Sequence, residues 1–146
     1  MTLDIRPAVA ADAEAALALD PDAPARLAQP LRQAFAGQRG RSALLALMDG
    51  QAVGYAAIGD FLGQPFLERL RVADGRQRQG VASALMAALE AAHPDRDIFV
   101  SSNESNTPMR TLLAARDYKV SGIVENLDPG DPQLFFVKFA PWPPSA

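Results

Sequence analysis

The residues best placed to do chemistry in this chain are Arg76-Gln77-Arg78-Gln79-Gly80-Val81-Ala82-Ser83, where a strand-like run from Phe66 gives way to an alanine-rich helical stretch that reaches Leu89. A helix N-terminus leaves its first amide groups without intrahelical acceptors and puts about half a positive charge of dipole behind them. Here those groups are the N–H donors of Gln79, Gly80, Val81, Ala82 and Ser83, which together make a cradle for a polyanionic cofactor. The bare pattern Gln/Arg-x-x-Gly-x-Gly/Ala is weak, because the chain contains it twice. Its other occurrence, Gln51-Ala52-Val53-Gly54-Tyr55-Ala56, falls in the strand that leaves the Asp49-Gly50 turn, so no free helix N-terminus follows it. Only the first match has a strand before it and a helix after it, which is the context anion binding demands.

The elements that must position this turn follow from hydrophobic period and breaker residues. Leu3-Asp4-Ile5-Arg6 alternates as a short strand stopped by Pro7, and Asp12–Leu19 turns helical before Asp20-Pro21-Asp22. Pro30 is expected at the first position of a second short helix that carries Leu31, Ala34 and Phe35 on one face and closes near Gly37. Ser42–Met48 and Ala52–Ile58 form a hairpin around Asp49-Gly50. Residues Phe61 to Phe66 read as an apolar connection into the strand Leu67–Val72, and Val81, Leu85, Leu89 and Ala92 give the helix after the turn one buried stripe, ended by Pro94. Ile98–Ser101 is expected to run parallel to the strand before that helix. A further helix opens at Asn106-Thr107-Pro108 and buries Met109, Leu112 and Leu113; Tyr118–Val124 and Leu134–Phe139 are the last strands. The predicted order β-α-α-β-β-β-α-β-α-β-β is that of an α/β protein, a mixed central sheet of six or seven strands flanked by about four helices.

With 146 residues, 49% of them hydrophobic, the chain has material for one domain, residues 1–140, followed by a proline-rich tail, 141–146, that Trp142 would anchor. A net charge of −3 argues against nucleic acid as a partner and leaves Arg69, Arg71, Arg76 and Arg78 as a local feature. Cysteine is absent and His93 is the single histidine, so no metal site is expected; His93 itself, before Pro94, reads as a helix-end residue. No apolar run approaches the roughly 18 residues needed to cross a membrane, and the N-terminus has no signal-peptide pattern, so the expected location is the cytoplasm. An exposed edge near Leu134–Phe139 makes a homodimer an expected assembly.

Leu70-x-Val72, then Gln77-x-x-Gly80-x-Ala82, then Leu85, resembles the acetyl-CoA motif of the GNAT superfamily of N-acetyltransferases, and the resemblance runs over nearly the whole chain, from Ile5-Arg6-Pro7-Ala8 onward. It implies acetyl-CoA as co-substrate and an amine as acceptor. It also implies that Gln77, Arg78, Gln79, Gly80, Val81, Ala82 and Ser83 hold the pyrophosphate, that Leu70 and Val72 offer main-chain groups to the pantetheine arm, and that Asn106, with Met109 at the matching spacing, lies near that arm. Arg76 and Arg78 either add charge to the phosphates or form a solvated face. Neither a dinucleotide fingerprint nor a P-loop is present in the turn.

Amine acetylation requires a neutral amine, a held thioester, stabilisation of the developing oxyanion and a proton for the leaving thiolate. Glu68 is the candidate base, since steps of two put it on the face of Leu70 and Val72; the alternative is an ion pair with Arg69 or another neighbour. Some relatives carry an acid on the next strand at the position of Ser101, and Glu104 is a weaker substitute. The tyrosine that many such enzymes use as general acid is replaced here by Leu113, which cannot donate a proton. Tyr118 is then either a core aromatic or the candidate acid, with water or Ser105 as other sources. Tyr55, Phe35 and residues Phe61 to Phe66 either select an acceptor with an apolar body or close the core. Two functions follow, an acetyl transfer to a small amine or peptide amine, and a module that binds acyl-CoA without chemistry.

Overall fold

The computed structural model of the chain describes residues 2–140; the proposed tail, with Trp142, lies outside them. The element order is the one expected: β1 (Leu3–Pro7), α1 (Ala13–Leu17), α2 (Ala28–Ala36), β2 (Ser42–Met48), β3 (Gln51–Phe61), β4 (Gln64–Val72), α3 (Val81–Ala92), β5 (Ile98–Asn103), α4 (Thr107–Ala115), β6 (Lys119–Val124) and β7 (Gln133–Lys138), with 3-10 turns at Ala10–Asp12 and Ala25–Leu27. The seven strands form one mixed sheet in the order β1-β2-β3-β4-β5-β7-β6, flanked by the four helices. The β4–β5 pair is parallel, as a helical crossover requires, whereas β1–β2, β2–β3, β5–β7 and β6–β7 are antiparallel. No helix among the described residues is long and apolar enough to cross a membrane.

Contacts divide the described residues into two compact units, 2–60 with 68–92, and 61–67 with 93–140. In the first unit, Leu31, Ala34 and Phe35 of α2 pack with Ala43, Leu45, Tyr55 and Ala57 of β2 and β3. The α2 helix ends on Gly37 in the left-handed region (φ 66°), as expected, but begins at Ala28, which puts Pro30 at its third position. The amide of that position has no intrahelical acceptor either, so proline costs no hydrogen bond there. Asp49-Gly50 forms the expected turn, with φ of 50° and 83°. The pairing slips just after it, from Leu47↔Ala52 to Ala46↔Gly54, leaving Val53 as a bulge. Gly54 sits where a Cβ would come within 2.8 Å of Arg71 O and 3.1 Å of Val81 Cγ1. The glycine of the second pattern match is therefore a place of close approach between β3, β4 and the start of α3, in a strand and without an anion cradle.

Asp20 is the buried polar centre of this unit, its side chain fully covered. Arg69 grips its carboxylate with two hydrogen bonds of 2.7 and 2.8 Å, Tyr55 donates its hydroxyl at 2.6 Å, and Arg71 lies 3.8 Å away while donating to Leu19 O at 2.9 Å. Burial pushes the Asp20 carboxyl up, but the hydrogen bonds from Arg69 and Tyr55 and the charges of Arg69 and Arg71 outweigh it and hold it below the ordinary carboxylate range. Burial and the neighbouring carboxylate keep the Tyr55 phenol neutral well beyond its usual range.

In the second unit β7 lies between β5 and β6, so Leu134–Phe139, read above as an exposed edge, is interior and the outer strand is β6, with Val120 and Ile123 exposed. The connection from Phe61 to Phe66 also differs from expectation. β3 extends to Phe61 and β4 starts at Gln64, so only Leu62-Gly63 (φ 51° and 87°) forms a tight turn. Leucine seldom enters the left-handed region, so nothing in the residues announces a second hairpin. Phe61 packs against Phe66, Phe99 and Phe135 with ring centroids 5.2 to 5.6 Å apart. In α3 the buried stripe is Val81, Leu85, Met86 and Leu89 rather than one that includes Ala92, and in α4 Leu113 is fully buried while Met109 and Leu112 are half-buried.

Asp20→Ala leaves a buried phenol and a half-buried guanidinium unpaired and is expected to cost about 3–5 kcal/mol, measured by urea unfolding. Because the folded-state carboxyl is depressed, its stabilisation is present above the unfolded value of about 3.9 and is lost as pH falls through the lower folded value. The wild type should therefore lose more stability than Asp20→Ala between about pH 5 and pH 2; parallel curves for the two proteins would contradict the assignment.

Candidate functional site

In the first unit β4 ends at Val72, and eight residues lead to α3. Ala73 N–H bonds Val53 O at 2.8 Å and Arg76 N–H bonds Ala73 O at 3.0 Å, which ties the start of this loop to the β3 bulge. The loop then turns through two left-handed residues, Arg78 (φ 64°) and Gly80 (φ 81°). The first helical bond runs from Ala84 N–H to Gly80 O at 3.0 Å. The amides of Gln79, Gly80, Val81, Ala82 and Ser83 precede it and have no hydrogen-bond acceptor among the described residues. Gln77, Arg78, Gln79 and Gly80 are exposed, and a Cβ at Gly80 would meet nothing within 4 Å, so the space in front of these amides is open. The donor set suits a phosphate or pyrophosphate. Val81, by contrast, is buried and seats the helix on Gly54, so it can contribute only through its main chain. Arg76 is half-buried, 3.6 Å from Met48 Sδ, whereas Arg78 stands in solvent.

Glu68 lies at the first-unit end of β4, and its carboxylate is committed to Arg41, whose Nε donates to Oε1 at 3.0 Å. The partner is thus neither Arg69, which is taken by Asp20, nor any residue near in sequence. Glu68 also lies against Gly59 while Arg69 bonds Tyr55's partner Asp20. Gly59 and Tyr55, four apart on β3, share a face, so the consecutive side chains of Glu68 and Arg69 serve the same face of the sheet. The period-two argument that grouped Glu68 with Leu70 and Val72 breaks at this step.

The remaining candidates belong to the second unit. The parallel register of β4 with β5 consists of Phe66↔Phe99 and Leu67↔Val100. Asn106 is the N-cap of α4: its Oδ1 accepts from Met109 N–H at 3.2 Å, and Thr107-Pro108 fill the first turn. Its carboxamide NH₂ has no partner among the described residues. The loop before Asn106 is tied to the β6–β7 loop, with Ser105 donating its hydroxyl to Asp131 Oδ2 at 2.6 Å and its N–H to Oδ1 at 3.1 Å, and Asn103 Nδ2 donating to Asp128 Oδ2 at 2.9 Å. The Ser105 proton is thereby engaged. Ser101 accepts from Gln133 Nε2 at 3.0 Å, and Glu104 is exposed, its backbone bonded to Pro132 O at 2.8 Å. Tyr118 is buried, with its N–H on Leu113 O at 2.9 Å and the Lys138 ammonium 5.7 Å from its ring centre, which is the setting of a core aromatic.

Sequence reasoning missed Arg41, Gly59 and Asp131, all of which act on the candidate residues. Asp131 stands in the turn-forming run Asp128-Pro129-Gly130-Asp131-Pro132, and its bond to a serine 26 positions away leaves no local mark.

Residues 9–118 match the family model described as the acetyltransferase (GNAT) family. No curated protein matches the chain. Among solved structures, a GNAT-family acetyltransferase from Bacillus cereus is 26% identical with a TM-score of 0.84, the alignment covering 96% of this chain and 99% of that one. The ribosomal-protein-S18-alanine N-acetyltransferase of Escherichia coli shares the fold at 16% identity, with a TM-score of 0.82 and 99% of each chain covered. So does a GNAT-family acetyltransferase from Elizabethkingia anophelis solved with acetyl-CoA bound, at 15% identity and a TM-score of 0.74 over 92% of this chain and 96% of that one.

The N-cap assignment separates two roles for Asn106. Asn106→Ala should lower stability by about 1 kcal/mol, whereas Asn106→Asp, which keeps the cap oxygen, should stay close to the wild type in thermal melting. Equal losses for both would mean that the cap is not what Asn106 contributes.

Proposed function

The chain belongs to the GNAT family of acetyltransferases, and we propose that it moves an acetyl group from acetyl-CoA to a primary amine of a small molecule or peptide, by direct attack while both are bound. The observation that carries the cofactor side of this reading is the run of five acceptor-free amides from Gln79 to Ser83 in front of open space. The diphosphate of acetyl-CoA would rest on those amides and on the helix dipole, with the exposed Arg78 and Gln77 at its rim. The main chain of Leu70 to Val72, at the end of β4 that leads into these amides, would face the pantetheine arm.

In the reaction the amine nitrogen bonds to the thioester carbonyl carbon, the carbon–sulfur bond breaks, the amine gives up one proton and the thiolate takes one. Holding two substrates in register supplies much of the rate. A main-chain N–H in Leu70 to Val72 polarises the carbonyl oxygen. Glu68 receives the amine proton through its second oxygen, directly or through one water, since Oε1 is held by Arg41. Leu113 has no proton to give and Tyr118 is buried, so we assign water as the acid for the thiolate.

Release of free CoA thiol from acetyl-CoA, followed across a panel of amines, tests the reading. The wild type should release thiol only with an amine present, and Glu68→Gln should lower kcat about 100-fold with little change in the KM for acetyl-CoA. An unchanged kcat would remove Glu68 from the mechanism. Tight acetyl-CoA binding without turnover on any amine would favour a non-catalytic acyl-CoA module.

A further inference from the structure

Glu68 occupies a niche whose floor and wall are both built for it, and we infer that Gly59 and Arg41 are positioning residues for the acetyl-transfer step, acting through that carboxylate. The inference rests on the proposed role of Glu68 and adds to it the residues that set where its proton-accepting oxygen points.

Three observations converge. A Cβ at Gly59 would overlap Glu68 Oε1 and stand 2.8 Å from Cδ and 3.2 Å from Cγ, so only glycine at this point of β3 lets the carboxylate lie on the strand. Gly59 needs no left-handed backbone, so its value there is the missing side chain and not conformational freedom. Arg41 then fixes the carboxylate from the other side: Nε donates to Oε1 at 3.0 Å, while NH1 donates to Gln33 Oε1 on α2 at 3.1 Å. Arg41 is itself delivered by a constrained loop, in which Gly37, Arg39 and Gly40 are all left-handed (φ 66°, 54° and 70°) and the Arg41 N–H bonds Gln38 O at 2.9 Å. The Glu68 side chain is only 10% exposed, and its Oε2 has no partner among the described residues. An ordinary surface ion pair is exposed, flexible and contributes little. Here one oxygen is fixed against a glycine by a guanidinium that is itself held, and the other is left with accepting capacity. An acceptor arriving as an ammonium finds a carboxylate of fixed direction in place of a freely rotating one.

The test compares Arg41→Gln, Arg41→Lys and Gly59→Ala, each in the wild type and in a Glu68→Gln background, with thermal melting to show that each protein is folded. Gly59→Ala is an independent probe because it displaces a flexible carboxylate and not backbone. Arg41→Gln and Gly59→Ala should each lower kcat about tenfold or more while the KM for acetyl-CoA stays within about threefold, Arg41→Lys should recover part of the loss, and none should lower kcat further once Glu68 is glutamine. Losses of the same size in both backgrounds, or full kcat in Arg41→Gln and Gly59→Ala while Glu68→Gln alone is impaired, would overturn the positioning role and leave the base intact. Full activity of Glu68→Gln would overturn the base reading itself, and this inference with it.

Discussion

A carboxylate with no solvent contact has to be paired, and the pairing of Asp20 with Arg69 and Tyr55 is the constraint around which the first unit is organised. Asp20 sits in the segment after α1, Tyr55 is in the middle of β3 and Arg69 and Arg71 are on β4, so one buried anion joins three parts of the chain that are far apart in sequence. A slip of β4 by one residue would turn both arginines away from Asp20 and leave the anion stranded. The register of β4 is thereby fixed, and β4 is the strand that carries Glu68, Leu70 and Val72 and hands the chain on to the anion cradle.

Past Val72 the same logic continues with backbone in place of charge. The bulge at Val53 frees a carbonyl for Ala73 N–H, and Gly54 beside it lets Val81 and Leu85 of α3 come down onto the strand. The start of α3 is therefore seated by buried contacts on its inner side while its amides face open space on the other. A helix terminus with unsatisfied amides, seated by buried contacts on its inner side, is the kind of receptor that would suit a phosphate. The region of Glu68 repeats the pattern on a smaller scale, with a glycine making room and a held guanidinium fixing a direction.

The strand-turn-helix stretch from Leu67 to Leu89 and the element order were legible in the sequence because both are local: a strand, a glycine turn and a helix start lie within one short stretch, and Asp49-Gly50 specifies its hairpin by itself. The decoy at Gln51–Ala56 could be set aside for the same reason. What could not be read depends on partners distant in sequence or on residues adopting uncommon conformations. Asp20 and Arg69 are 49 positions apart, and Arg41 and Glu68 are 27 apart. Leu62 in the left-handed region hid the second hairpin, and Pro65 inside β4 disguised the early start of that strand. The position of β7 inside the sheet follows from the pairing of β5 with β7, which no local feature of Leu134–Phe139 announces.

The central claim is that the amides from Gln79 to Ser83 hold acetyl-CoA, and calorimetric titration of acetyl-CoA into three proteins tests it most directly. Gly80→Glu places a negative side chain in the cradle, and Gly75→Glu places the same charge at a residue of the same loop with nearly the same backbone angle (φ 82° against 81°) and equally open surroundings. Strain and added charge are thus matched, and only the position relative to the cradle differs. Micromolar binding by the wild type and by Gly75→Glu, with Gly80→Glu weaker by about a hundredfold, is the predicted result; no binding by the wild type, or equal weakening in both variants, would contradict the account.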